Sequence, residues 1–259
     1  MINYNKVEQI LTAFLKNKFK RIGLTKAVIG LSGGIDSTVS AYLTAKALGH
    51  ENVLCVMMPY KTSSKNSLAD AQKVVKILSV RSKIVEISKM VDAYLDTLEG
   101  EVSIVRKGNV MARMRMIVLY DESAKENGLV VGTSNKTELL LGYSTLHGDS
   151  ACAINPLGQL YKTQIFELAK HLNVPKEIID KKPSADLWEG QTDEEEMGIT
   201  YAGVDKLLES MVDGGKSNAD LQSMGFEKEY IEKVQSRIKR NEFKGLPPVV
   251  ANLEEIDLT

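Results

Sequence analysis

The chain has little cysteine, little histidine and no excess of either charge. Its 259 residues include two cysteines, Cys55 and Cys152, too few for a disulfide scaffold or a cysteine-rich zinc site. The three histidines, His50, His147 and His171, form no HExxH pattern. Lys and Arg total 33 against 34 Asp and Glu, a net charge of −1. That balance argues against a dedicated nucleic-acid or membrane-surface binder, which carries a basic excess. No apolar run approaches the ~18 residues of a membrane span. Residues 1–19 lack the apolar core of a secretory signal. There is no internal repeat, no low-complexity tract, no GxxxxGK[ST] and no GxGxxG. With 43% hydrophobic and 26% charged residues, the expectation is a cytoplasmic globular protein whose residues 1–259 form one domain.

Hydrophobic spacing organises the chain. Val7, Ile10, Leu11, Phe14, Leu15, Phe19 and Ile22 share a helical face, closed near Gly23. Short apolar strands are expected at residues 26–31, 53–58 and 84–87, with helices at 36–48 and from Asn66 through Leu78. This alternation predicts an α/β protein, a doubly wound parallel sheet with flanking helices. The right-handed crossover rule puts residues 26–31 at its centre. A helix at 107–127, a strand at 129–132 and a helix at 163–172 follow. Residues 184–197, SADLWEGQTDEEEM, read as a solvated acidic loop. The basic stretch 239–248 reads as a terminal helix and an extended tail.

One turn carries chemistry. Gly30-Leu31-Ser32-Gly33-Gly34-Ile35-Asp36-Ser37 joins the first strand to its helix. In a parallel sheet that turn lies at the carboxyl ends of the strands, where ligands bind. Gly33 and Gly34 permit positive φ and close approach, so successive N–H groups can meet one anion at a helix N-terminus. Ser32 and Ser37 add hydroxyls. Asp36 would repel a phosphate unless a cation lay between them, and Mg²⁺ suits that place. Asp36 could equally cap the helix.

SGGIDS resembles the pyrophosphate loop of the ATP-pyrophosphatase, or adenine-nucleotide α-hydrolase-like, enzymes. Within that group, Asn109-Val110-Met111-Ala112-Arg113-Met114-Arg115-Met116 is similar to a signature of the NAD synthetases. Gly132-Thr133-Ser134-Asn135-Lys136-Thr137-Glu138, Leu141-Gly142-Tyr143, Gly148-Asp149, Asn155-Pro156, Lys162, Pro183-Ser184-Ala185-Asp186-Leu187 and Phe243-Lys244 continue it in order. The resemblance covers nearly the whole chain. The length matches the short, ammonia-dependent type, without a glutaminase domain.

The resemblance implies a ligase of NAD biosynthesis that joins deamido-NAD and ammonia at the expense of ATP. The nicotinate carboxylate attacks the α-phosphate, pyrophosphate leaves, and ammonia converts the acyl-adenylate to NAD and AMP. It implies that Gly30, Leu31, Ser32, Gly33, Gly34, Ile35, Asp36 and Ser37 bind ATP, together with Thr133, Lys162 and Ser184. Asp36, Ser32 and Lys162 would serve the chemistry, and Asp36 and Glu138 would hold Mg²⁺. Arg113, Phe243 and Lys244 would bind deamido-NAD, with Tyr143 stacking on it. Relatives often have Thr at 184 and His at 243. Leu146 and Ala153 stand where some carry a substrate-binding Lys and Asp, so those contacts are not carried over. The family forms homodimers, and the helices near 7–22 and 107–127 could supply that interface or the core. From sequence alone, Thr133 could cap a helix, and Glu138, Lys162 and Arg113 could be surface charges. Two other functions compete: another adenylating or tRNA-thiolating enzyme, and a non-catalytic adenine-nucleotide sensor. The first is weakened by the missing CxxC pair.

Overall fold

The computed structural model describes residues 2–184, 187–188, 190–248 and 250. Helix α1 (Tyr4–Ile22) starts at Asn3, whose side chain accepts the Lys6 N–H, and stops at Gly23 in the left-handed region. Strand β1 (Lys26–Gly30) leads into α2 (Ile35–Leu48), then β2 (Val53–Met57), α3 (Lys65–Leu78) and β3 (Arg81–Ile84). Helices α4 (Ser88–Leu95) and α5 (Ile104–Glu126) precede β4 (Gly128–Val130). The strands are parallel in the order β3-β2-β1-β4, with Val28 opposite Leu54 and Val130. So β1 is interior, as expected, and its C-terminal turn lies between neighbours.

Strand periodicity splits the core in two. Ala27, Ile29, Val53, Cys55 and Met57 face α1, α2, α3 and a later helix, α7 (Lys162–His171). Val28, Leu54 and Val56 face α4 and α5. Helices thus cover both faces, and each fully buried Val or Leu contributes ~1.5–3 kcal/mol.

The third strand departs from expectation. It runs over residues 81–84 rather than 84–87, and all its side chains are exposed. Charge holds this edge. Arg81 donates two hydrogen bonds to the Glu126 carboxylate, at 2.7 and 2.6 Å, and Lys83 pairs with Glu122. Arg81, with help from Lys26, holds the Glu126 carboxyl down at about 2. Ile87, expected in the strand, is fully buried beyond it, its N–H on the Pro59 carbonyl.

The C-terminal half is more helical than its composition suggested. After α6 (Lys136–Leu141), α7 and α8 (Lys176–Ile179), the stretch expected as a solvated loop contains α9 (Asp193–Met197). Thr192 caps it, its acidic first turn suits the helix dipole, and Met197 is buried. Helices α10 (Tyr201–Leu208) and α11 (Asn218–Ser223) were not anticipated. The terminal helix, α12 (Lys228–Asn241), begins well before residue 239. These four helices and α6 enclose a second core around Leu141, Tyr161, Val204, Leu207 and Ile231.

Candidate functional site

The turn after β1 is braced by its own serines. The Ser32 N–H donates to Ser37 Oγ at 3.2 Å, and the Gly34 N–H donates to Ser32 Oγ at 3.2 Å. Ser37 Oγ donates in turn to the Gly34 carbonyl at 3.0 Å. Gly33 has φ +80°, and a Cβ there would lie 2.1 Å from the Ser67 carbonyl oxygen of α3. Only glycine fits that contact. Gly34 is the N-cap of α2, so Asp36 does not cap it. The Asp36 carboxylate instead accepts from Asn135 Nδ2 at 2.9 Å and from Lys162 Nζ at 2.5 Å.

Lys162 is the centre of the charge cluster. It is 2% exposed, which removes the surface-lysine reading. Its ammonium also donates to Glu138 Oε1 at 3.3 Å and lies 5.0 Å from the centre of the Tyr201 ring. Burial alone would lower its pKa, but Asp36 and Glu138 outweigh it and the net shift is upward. Burial raises the Glu138 carboxyl to about 8; Lys162 opposes that rise and Asp36 adds to it. Glu138 also has a local duty. It forms a capping box with Asn135, so Asn135, not Thr133, caps α6.

Two buried acids keep these groups in register, and neither was singled out from sequence. Asp205 of α10 accepts from Thr137 Oγ1 at 2.6 Å and from the Thr163 N–H at 2.7 Å, lacing the starts of α6 and α7 together. Asp193 of α9 accepts from Tyr201 at 3.0 Å and Tyr143 at 3.1 Å, and burial raises its pKa. Their partners lie far along the chain, so no local spacing signals them. The one local signal is Thr192, a capping residue ahead of an acidic first turn, and it gives no sign that Asp193 is buried.

The turn, Glu138, Lys162 and Asp193 border a cavity of about 510 Å³, while Gly33, packed against α3, and Asp205 are absent from its lining. Gly30, Leu31, Ser32, Gly34, Ile35, Asp36, Ser37, Thr133, Glu138, Tyr143, Lys162 and Ser184 all reach it. So does Arg115, whose Nε donates to the Met58 carbonyl at 3.1 Å. Ala185 and Asp186 of the Pro183–Leu187 motif lie outside the described residues. Arg113, Phe243 and Lys244 are absent from the lining. Arg113 donates to the Leu146 carbonyl at 3.3 and 3.2 Å, while Lys244 donates to the carbonyls of Gly142 and Ser144 at 2.7 and 3.0 Å. Both cations therefore donate to carbonyls of the segment after α6. Phe243, next to Lys244 in the chain, is 59% exposed. The Tyr143 ring lies 5.9 Å from the Arg237 guanidinium, and its single hydroxyl proton is shared between Glu196 Oε2 at 2.8 Å and Asp193 Oδ1 at 3.1 Å.

A braced loop at a strand end, facing two carboxylates bridged by a buried lysine, agrees with the comparisons with known proteins. A family model described as NAD synthase matches residues 7–248. The chain belongs to the NAD synthase family. The NH(3)-dependent NAD(+) synthetase of Fusobacterium nucleatum subsp. nucleatum is 51% identical over 253 residues, covering 98% of this chain and 98% of its own. A solved structure of an NMN synthetase from Francisella tularensis superposes with a TM-score of 0.87 at 34% identity, covering 97% of this chain and 100% of its own. An NH3-dependent NAD synthetase from Campylobacter jejuni, in complex with the nitrate ion, gives 0.83 at 36%, with 97% and 100% covered. The sheet order and flanking helices are thus those of a NAD synthase family member.

Proposed function

We propose that this NAD synthase family member amidates deamido-NAD with ammonia, using ATP as co-substrate and releasing AMP and pyrophosphate. The observation that carries this reading is the buried Lys162, bridging Asp36 and Glu138 at the mouth of the glycine turn. A carboxylate is a poor acyl donor, and adenylation gives it a leaving group. The protein's work is to position highly charged groups and offset their charge.

In this reading the leaving pyrophosphate is received by the Gly33 N–H and by the N–H groups of Ile35, Asp36 and Ser37 in the first turn of α2, because those of Leu31, Ser32 and Gly34 are already donated to Val56, Ser37 and Ser32. The Ser32 and Ser37 hydroxyls keep the glycine turn in shape. Thr133, at the end of the central sheet, and Ser184 contact the nucleotide. Lys162 offsets charge growing on the departing phosphate. Asp205, through Thr137 and Thr163, keeps Lys162 and Glu138 on one axis. Arg113, Lys244, Phe243 and Tyr143 serve deamido-NAD. The first two arrange the segment after α6 that borders it, which supports a joint role. Gln191 and Asp193, both buried, help exclude water from the adenylate.

Asp36 and Glu138 fit Mg²⁺. They are hard oxygen donors, the point between them already accepts a cation, and Mg²⁺ takes one or two carboxylates plus phosphate oxygens and water. When bound, Mg²⁺ supplies charge neutralisation between these acids and the phosphates.

The assay is direct. With ATP, Mg²⁺, ammonia and deamido-NAD, the chain yields NAD, AMP and pyrophosphate in equal amounts. Formation of ADP, or ATP consumption without deamido-NAD, contradicts the reading.

We further infer a homodimer of two 1–259 catalytic units, supported by apolar side chains exposed on adjacent helices: Met90 and Tyr94 on α4, Ile117 and Tyr120 on α5. Sedimentation equilibrium then gives twice 28.6 kDa, and a monomer at assay concentrations contradicts it. No helix among the described residues is long and apolar enough to cross a membrane. Both cysteines are free thiols, which fits work in the cytoplasm.

A further inference from the structure

A leaving pyrophosphate carries more negative charge than the groups assigned above offset. The glycine turn and the start of α2 supply N–H groups and hydroxyls but no cation. The ammonium of Lys162 is shared by two carboxylates, Asp36 and Glu138. A second cation stands against α3, which packs on the turn. Lys181 lines the same cavity, with its side chain 29% exposed. Its ammonium donates to Asp70 Oδ2 at 2.9 Å and to Ser67 Oγ at 3.1 Å, both on α3. Ser67 is also the residue whose carbonyl oxygen abuts Gly33. The Lys181 ammonium therefore rests one side chain away from the tightest point of the turn.

Its backbone is anchored while its side chain has somewhere to go. Just before it, Ile178 of α8 is fully buried, and Glu177 pairs with Lys73 of α3. Four methylenes and three rotatable donors let the ammonium exchange one oxygen partner for another. Asp70 is a carboxylate at the cavity edge, and phosphate oxygens on the turn would compete with it. The other cations of the lining are differently placed. Lys182 is exposed, and Arg115 donates to the Met58 carbonyl.

We propose that Lys181 is the second cation of the pyrophosphate subsite, resting on Asp70 and moving to a β- or γ-phosphate oxygen when ATP or pyrophosphate occupies the turn. This rests on the reading of the cavity as the ATP site. Asp70 then acts as a holding group that keeps the ammonium near the turn between turnovers.

Calorimetric titration with pyrophosphate and, separately, with AMP tests this. Lys181→Ala should bind pyrophosphate roughly 10- to 100-fold more weakly, the scale of one charge-assisted hydrogen bond, with AMP affinity unchanged. Lys181→Arg should recover most of the loss. Asp70→Asn, which frees the ammonium, should bind pyrophosphate as tightly as the parent chain or more tightly. A Lys181 that merely tethers two segments predicts a different result: Lys181→Ala and Asp70→Asn lose AMP and pyrophosphate affinity together. That outcome, or unchanged pyrophosphate affinity in Lys181→Ala, overturns the proposal. Lys181 lies outside the helices, and a melting curve checks that each variant is folded. If neither AMP nor pyrophosphate competes with ATP in the parent chain, the reading of the cavity fails instead.

Discussion

Replacing Lys162 with methionine should cut turnover by about 10³-fold or more while leaving a folded chain. Methionine nearly matches the stem in length but brings no charge. Asp36 and Glu138 then face each other with nothing between them, in a site where Lys162 was 2% exposed. Removing one partner of a buried ion pair costs ~3–5 kcal/mol. Here the loss should fall towards the lower end, because burial already pushes the Glu138 carboxyl upward and it can take up a proton once the ammonium is gone. The catalytic loss should exceed the effect on folding. Losing one preorganised charge stabiliser costs ~10²–10³ in rate, and mispositioning Asp36 adds to it. Denaturant melts and single-turnover AMP release separate the two effects. Turnover within tenfold of the parent would mean that Lys162 only holds the fold together.

Gly33→Ala should weaken ATP binding by roughly 100-fold without unfolding the protein. Two costs coincide at this residue. A left-handed φ of +80° strains any L side chain by ~1–2 kcal/mol. The new methyl would also sit 2.1 Å from a backbone oxygen of α3, which cannot swing aside like the end of a side chain. The turn has to lift off α3, and its N–H groups lose their common focus. Gly34→Ala is the matched control. Its φ is −88°, and the nearest atom to its Cβ is Ser32 Oγ at 3.3 Å. Its effect should stay within a few-fold. Calorimetry with ATP and with deamido-NAD reads both variants. Equal losses at Gly33 and Gly34, or a deamido-NAD defect as large as the ATP defect, would contradict the argument.

The sheet was legible in the sequence where burial was apolar on both sides. β2 is buried at every position, and its run of Val53, Leu54, Cys55, Val56 and Met57 has no other reading. β3 misled because it is an edge strand held by backbone pairing to β2, with exposed side chains of which Arg81 and Lys83 reach Glu126 and Glu122 of α5. An apolar pattern cannot reveal that kind of edge. The glycine turn declared its shape locally, since Gly33 and the two serines act on their neighbours. The rest of the site did not. Lys162 and Asp36 are 126 residues apart, and only resemblance to a family joined them in advance. Asp205 and Asp193 were missed because each is a buried acid whose partners come from other helices. The acidic run at 193–196 looked solvated, yet Asp193 is 4% exposed, held by two tyrosine hydroxyls.

The most direct test is a crystal structure of the chain with Mg²⁺ and a non-hydrolysable ATP analogue. The account expects the β- and γ-phosphates on the Gly33 N–H and the first N–H groups of α2, with Asp36 and Glu138 facing them across the metal and Lys162 alongside. A triphosphate bound anywhere else, with the glycine turn in contact only with its own serines, would contradict it.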